Sequence, residues 1–321
     1  MELVLERVSK SFGGLRAVGN VTFRVPSDTI FGLIGPNGAG KTTVFNLITG
    51  VYKPDEGNIK FGTTNLQPLK PAQIAGVGIG RTFQNIRLFG QLTVLENLLV
   101  ACELQKTATL ASAVLRAPVH YEDEISMAAR AMDLLRIFDL HEMAHEIPTA
   151  LSYGNQRRLE IARAMMLKPQ LLLLDEPAAG MNYGEAEGLK KQIQWLRDTF
   201  RLSVVLVEHN MQVVMGVCEE IHVLDHGETI AHGTPEAVRA HPKVLAAYLG
   251  EEETSAVVLA QVTELSRPEL PPVSSDKMPV SEKLSEHEEK ALSDNLMRAL
   301  DSAIAEPDLP EFKRDPDKDK F

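Results

Sequence analysis

"TIFGLIGPNGAGKTTVFNLITG", residues 29–50, decides how this chain is built. Thr29 to Ile34 is a short apolar run, Gly35 to Thr42 fits the pattern G-x-x-x-x-G-K-[ST], and the remainder reads as a helix. With glycine near 7% of residues in proteins generally, a chance match in a chain of 321 residues has a probability on the order of one per cent. A strand before the motif and a helix after it lower that further. Glycines let consecutive backbone N–H groups turn inward around a phosphate, and the following helix aims its positive end at the same place. Gly35, Pro36, Asn37, Gly38, Ala39, Gly40, Lys41, Thr42 and Thr43 are therefore the expected phosphate cradle of a nucleoside triphosphate. Lys41 supplies a full charge toward the β and γ phosphates, and Thr42 offers a hydroxyl to Mg²⁺.

Further along, "LLLLDEP", residues 171–177, is a second apolar run, ending in two carboxylates. A buried charge needs a partner, which places Asp175 beside the Mg²⁺ shell. Glu176 points to the other side of the strand line, where it can face an attacking water as a base.

The rest of the chain supports an α/β layer architecture with a mostly parallel core sheet. Strand-like runs recur at "LVLERV", "VTFRV", "LSVVLVE" and "EIHVLD", the last followed by a hairpin turn at Asp225-His226-Gly227. The runs at 171–174 and 204–207 are continuous rather than alternating, as in strands covered on both faces. Helical stretches are expected at Thr93 to Leu104, Glu122 to Phe138, Asn155 to Leu167 and Gly184 to Phe200. Residues 91–165 lack a convincing strand and read as a helical insertion.

Composition bounds the function. The formal charge of −11 is unevenly spread: residues 251–321 hold 9 Lys and Arg against 18 Asp and Glu, and the preceding 250 hold 24 against 26. No basic stripe with interleaved aromatics offers contacts to nucleic acid. Cys102 and Cys218 have no metal-ligand spacing and read as small buried side chains in a reducing compartment. Charges interrupt the apolar start of the chain, and no run reaches the ~18 apolar residues of a membrane span, so a cytoplasmic location is expected. After Gly250 the chain has seven prolines and no Tyr or Trp; this acidic tail is expected to be largely disordered, with a possible helix over 281–305.

Between the two apolar runs lies "LSYGNQRRLEIARAM", residues 151–165. It resembles the L-S-G-G-Q signature of ATP-binding-cassette (ABC) ATPases, with Tyr153 in place of the first glycine and Asn155 in place of the glutamine. The other marks of that family follow in order. Gln84 in "RTFQN" resembles the glutamine that approaches Mg²⁺ and the water and touches the membrane subunit; His209 in "VEHNM" resembles the histidine that contacts the γ-phosphate. Phe12 in "SKSFGG" stands where an aromatic ring stacks on adenine. Alone, these would read as a loop glutamine, a helix-cap histidine and a core ring; five ordered matches outweigh those readings. The resemblance covers about residues 1–250 and implies a P-loop NTPase core, with an antiparallel β subdomain and a helical subdomain at about 91–165. It assigns Ser152 and Gly154 to the γ-phosphate held by a partner chain, so that ATP is sandwiched between two subunits.

Within the family, "RTFQNIRLFGQLTVLENLLVA", "DEPAAGMN" and "HPKVLAAYLG" look like the larger ATPase subunit of branched-chain amino-acid importers. Asn182 sits where many cassettes carry an aspartate. The resemblance implies ATP and Mg²⁺, a second ABC ATPase in a heterodimer, two membrane permeases, a periplasmic binding protein, and a peripheral place on the cytoplasmic face of a bacterial inner membrane. Urea or amide uptake and lipopolysaccharide export are alternatives with related ATPases. A non-transport cassette is a further one, although such proteins carry two cassettes or a coiled-coil insertion, and this chain shows neither.

Overall fold

The structure is a computed structural model, which describes residues 1–101 and 118–249. It opens with a long hairpin, β1 (Leu3–Phe12) and β2 (Leu15–Val25), followed by β3 (Ile30–Ile34) and helix α1 (Lys41–Ile48). Next come β4 (Glu56–Phe61), β5 (Thr64–Asn65), α2 (Pro71–Gly76) and β6 (Ile79–Arg81). Among the described residues, the α-helices α3 (Val94–Ala101), α4 (Pro118–Ile137) and α5 (Tyr153–Met165) follow, before β7 (Leu171–Asp175). It continues through α6 (Tyr183–Phe200), β8 (Ser203–Val207), α7 (Met211–Val217), β9 (Glu220–Asp225) and β10 (Glu228–Gly233), then the short helices α8 (Pro235–Arg239) and α9 (Pro242–Leu249).

Two sheets result. Six strands in the order β10-β9-β3-β8-β7-β6 are parallel except for the β9–β10 hairpin, and β2-β1-β4-β5 form an antiparallel sheet. Every residue of β3, β7 and β8 is buried, which explains their unbroken apolar runs. Alternate side chains serve two cores. Ile30, Ile34, Leu172, Leu174, Val204 and Leu206 join the helices α3 to α7. Phe31, Leu33, Leu171, Leu173, Val205 and Val207 join α1 and the antiparallel sheet. The central strands therefore present their C-terminal ends, where Gly35 and Asp175 lie, between a helical layer and a β layer. That end of a parallel sheet is where ligands bind in α/β proteins.

The turn between β9 and β10 is a two-residue hairpin whose central residues, His226 and Gly227, both have positive φ, 45° and 80°, matching the Asp-His-Gly signal. The helices begin and end within a few residues of expectation over the described part. Cys218 is a buried free thiol whose pKa burial pushes well up. Cys102, the boundary at Gly250, the acidic tail and the possible 281–305 helix lie outside the described residues. None of the described helices is long and apolar enough to cross a membrane.

His222 on β9 is 1% exposed, packed against the Phe23 ring (centroids 4.9 Å apart), with Nε2 at 2.9 Å from the Thr229 hydroxyl. Burial lowers its pKa from 6.5 to about 4, and neighbouring His232 adds to the shift. Because the folded value lies below the unfolded one, the unfolded chain takes up the proton first as pH falls. Stability from this residue is present above about pH 6.5 and is lost toward pH 4, by on the order of 3 kcal/mol. In urea unfolding across that range, the stability gap between wild type and His222→Leu is expected to narrow as pH falls; a pH-independent gap would remove His222 from the acid limb.

Candidate functional site

The loop joining β3 to α1 is held at both ends by close backbone contact. Gly40, with φ 100°, serves as the N-cap of α1, and a Cβ there would lie 2.5 Å from the Ala17 carbonyl. Only glycine combines that backbone with that approach. Gly35, Pro36 and Ala39 are buried, whereas Asn37 and Gly38 are exposed at the tip. Lys41 is buried, and its ammonium donates to the carbonyls of Gly35 (2.6 Å) and Pro36 (2.9 Å), so its charge lies across the loop. Thr42 is exposed and Thr43 half-buried on the first turn of α1, whose end has no acidic residue to oppose an anion.

At the end of β7, Asp175 is 2% exposed. The sequence expectation paired its charge with Mg²⁺; the structure adds a protein partner, Arg81 at the end of β6, whose Nη2 lies 3.4 Å from Asp175 Oδ2. Burial raises the Asp175 pKa, and the Arg81 charge opposes the rise. Arg81 also donates to Asn46 Oδ1 (2.8 Å) and Thr49 Oγ1 (2.9 Å) of the α1 segment, so one guanidinium fastens the phosphate-loop helix to the acidic strand. The Asp175 N–H donates to Thr82 Oγ1 at 3.2 Å. Asp175 Oδ1 is buried with no hydrogen-bond partner among the described residues. A hard cation that takes oxygen ligands suits such an atom, and the exposed Thr42 hydroxyl is a second donor of the same kind. The residues present thus fit Mg²⁺.

Glu176 has φ 48°, a conformation rare outside glycine and one that collects at functional sites. Its N–H remains tied to the Val207 carbonyl at 2.8 Å, so the bend is anchored to β8. The turn brings Glu176 Oε2 to 3.1 Å from Gln84 Nε2 and 3.7 Å from His209 Nδ1. Two residues widely separated in the chain thus converge on the Glu176 carboxylate. His209 is not the cap of α7; Asn210 is, accepting from the N–H groups of Gln212 and Val213. Glu208, which the sequence reading passed over, braces this corner. Fully buried, it accepts from Ala178 N–H at 2.7 Å and from the N–H groups of His209 and Asn210 at 3.1 Å each. Burial raises its pKa, and the Ala178 and Asn210 N–H groups oppose the rise.

Phe12 is not a core ring: it is 41% exposed at the β1–β2 turn, edge-on to Tyr52 (4.9 Å) with the Lys10 ammonium 5.6 Å from its centroid. Ser152 is exposed and caps α5, its Oγ accepting from Asn155 N–H at 3.3 Å. Gly154 lies beside Glu185 of α6, and Asn182 caps that helix in a reciprocal pair with Glu185. Ser152 and Gly154 line a small surface pocket with Arg158, Met181 and Glu185. Among the described residues, no hydrogen bond or ion pair joins Ser152 or Gly154 to the Glu176 cluster.

Hydrolysis of a nucleoside triphosphate needs a phosphate cradle and a carboxylate able to address water at the same edge, and this fold supplies both at the ends of β3 and β7: the chain is a P-loop ATPase. Comparison with known proteins narrows this. Residues 18–179 match the model of the ABC transporter family, and residues 228–254 match that of branched-chain amino acid ATP-binding cassette transporters. The chain belongs to the ABC transporter family of ATP-binding subunits. It is 47% identical over 240 residues to the high-affinity branched-chain amino acid transport ATP-binding protein LivG of Escherichia coli K12, covering 75% of this chain and 94% of LivG. It is 35% identical over 253 residues to the lipopolysaccharide export system ATP-binding protein LptB of the same organism, covering 78% of this chain and 98% of LptB. Among solved structures it resembles the ADP conformation of MJ1267, an ATP-binding cassette of an ABC transporter. The TM-score there is 0.68 at 31% identity, over 78% of this chain and all of that one.

Proposed function

We propose that this chain is the ATP-hydrolysing, energy-coupling subunit of an importer for branched-chain or other hydrophobic amino acids. It works on the cytoplasmic face of a bacterial inner membrane, paired with a second ABC ATPase beneath two permeases that a periplasmic binding protein feeds. The observation that carries this is the 47% identity to LivG over nearly all of that protein, against 35% to LptB, with the match at residues 228–254 to the branched-chain amino acid cassette transporter model.

In this reading Gly35 to Thr43 cradle the ATP phosphates, Lys41 swings from its loop carbonyls to the β and γ oxygens, and Phe12 stacks on adenine. Thr42, Asp175 and Gln84 would hold Mg²⁺, which would supply positive charge against the phosphate oxygens. Glu176 accepts the proton of the attacking water, and His209 donates toward the γ-phosphate. Gln84 and His209 meet the same Glu176 oxygen, so both can orient the base. Ser152 and Gly154 complete the partner's site.

The test is reconstitution of the co-encoded assembly in liposomes. ATP hydrolysis is expected to rise with binding protein loaded with leucine, isoleucine or valine. A rise only with urea or a short amide, or one that needs no binding protein, would overturn the cargo assignment while leaving the ATPase intact.

A further inference from the structure

Arg157 on α5 is the largest fully buried side chain among the described residues. A guanidinium in a core is strongly unfavourable unless its donors are used. Here the two terminal nitrogens make four bonds, two of them to one loop, while Nε is buried with no hydrogen-bond partner among the described residues. Nη1 donates to the Phe83 carbonyl (2.6 Å) and to Glu160 Oε2 (3.1 Å), and Nη2 to the Gln84 carbonyl and the Tyr153 hydroxyl (3.0 Å). Glu160, 1% exposed, returns to the same loop: its Oε1 accepts from Phe83 N–H at 3.2 Å and Arg87 N–H at 3.4 Å. Burial raises the Glu160 pKa, and the charge of Arg157 is foremost in opposing the rise. Arg163 adds a bond to the Arg87 carbonyl at 2.5 Å. Residues 157, 160 and 163, spaced three apart along α5, thus bind the backbone of residues 83–87 from one side.

The loop held in this way carries Gln84, whose amide reaches Glu176. β6 ends at Arg81, so regular strand pairing does not extend to this backbone. The Tyr153 ring lies against the Arg157 guanidinium, 5.5 Å from it, and closely approaches Gly180, whose φ is 74° and where a Cβ would sit 3.3 Å from the ring. Arg157 therefore links the glutamine loop to Tyr153, the residue after Ser152, whose ring lies beside Gly180 in the chain that follows Glu176.

We propose that Arg157 is a positioning residue for hydrolysis: its fork holds the Phe83 and Gln84 carbonyls so that the Gln84 amide meets Glu176. The same contact ties the helix that begins at Ser152 to this chain's own base. The proposal rests on the reading of Gln84 and Glu176 as hydrolytic residues. A planar guanidinium can span two adjacent carbonyls, a carboxylate and a hydroxyl; an ammonium of equal charge can neutralise Glu160 but cannot span both carbonyls.

Arg157→Lys, in the full chain assembled with its partner ATPase and permeases, is expected to lower kcat by about 10- to 100-fold, the scale of a small misplacement in a reacting array. The KM for ATP, and ATP binding by the isolated full-length chain, should stay at wild-type values. Amide exchange at Phe83 and Arg87 should accelerate. The decisive measurement is a double-mutant cycle with Gln84→Ala, in which Arg157→Lys should cost nothing further once Gln84 is gone. Losses that multiply would overturn the positioning role while leaving Gln84 as a hydrolytic residue. Wild-type turnover in Gln84→Ala itself would overturn that assignment and the inference with it. If Arg157→Lys does not fold, the paired change Arg157→Met with Glu160→Met removes both buried charges together and enters the same cycle; multiplying losses or wild-type turnover there would again overturn the proposal.

Discussion

Glu176→Gln is expected to lower ATP turnover by ~10²–10⁴-fold while ATP continues to bind, because the amide keeps the shape of the side chain but cannot take a proton from water. The substitution preserves an oxygen that can accept from Gln84 Nε2 and leaves the Glu176 N–H bonded to Val207. The phosphate cradle on α1 is untouched. Single-turnover and steady-state rates on the assembled transporter, together with a fluorescent-nucleotide titration, provide the check. Multiple turnover near the wild-type rate would remove Glu176 from the base role. Lys41→Ala provides the contrast: it should weaken nucleotide binding itself, since Lys41 brings the loop's full charge.

Ser152→Arg has the second large effect. Ser152 caps α5 on an exposed surface and is not joined to the Glu176 cluster of its own chain. Binding of ATP by the isolated chain should therefore hardly change. In the assembled transporter the variant should disable the composite site whose lysine comes from the other ATPase, because a bulky side chain blocks closure on the γ-phosphate. Donors supplied in trans to phosphoryl transfer can contribute ~10³–10⁵ in rate. Pairing separates the alternatives. Combined with a P-loop lysine mutation in the partner, both lesions fall on one site and the double mutant should be no worse than either single. Combined with Lys41→Ala in the same chain, both sites are lost. The reverse pattern would show that Ser152 acts on its own chain's nucleotide.

Several elements were legible from local pattern alone. The turn at His226-Gly227 needs two positive φ values, and Asp-His-Gly between apolar runs announces it. β3, β7 and β8 were readable because burial on both faces leaves no room for a polar residue until the strand ends. β4, β5 and α2 were missed: they are short, and their sequences do not alternate cleanly. β6 has only three residues, and its partner β7 lies far along the chain. Phe12, Gln84 and His209 were each ambiguous alone. Chain order made them conspicuous, and the fold then brought Gln84 and His209 to one Glu176 oxygen.

The sequence by itself determined the α/β layering, the phosphate loop and the acidic pair at the end of β7, because each rests on interactions within a few residues: a glycine's backbone freedom, a helix's first turn, an unbroken apolar run. Only the tertiary structure decided where the buried charges go. Arg81 meets Asp175 across 94 positions, Arg157 reaches the Gln84 carbonyl across 73, and Glu208 accepts from Ala178 across 30. An arginine or glutamate in the sequence looks like solvated surface, since charged side chains are buried only when paired. That pairing exists only once sheet order and helix packing bring distant segments together.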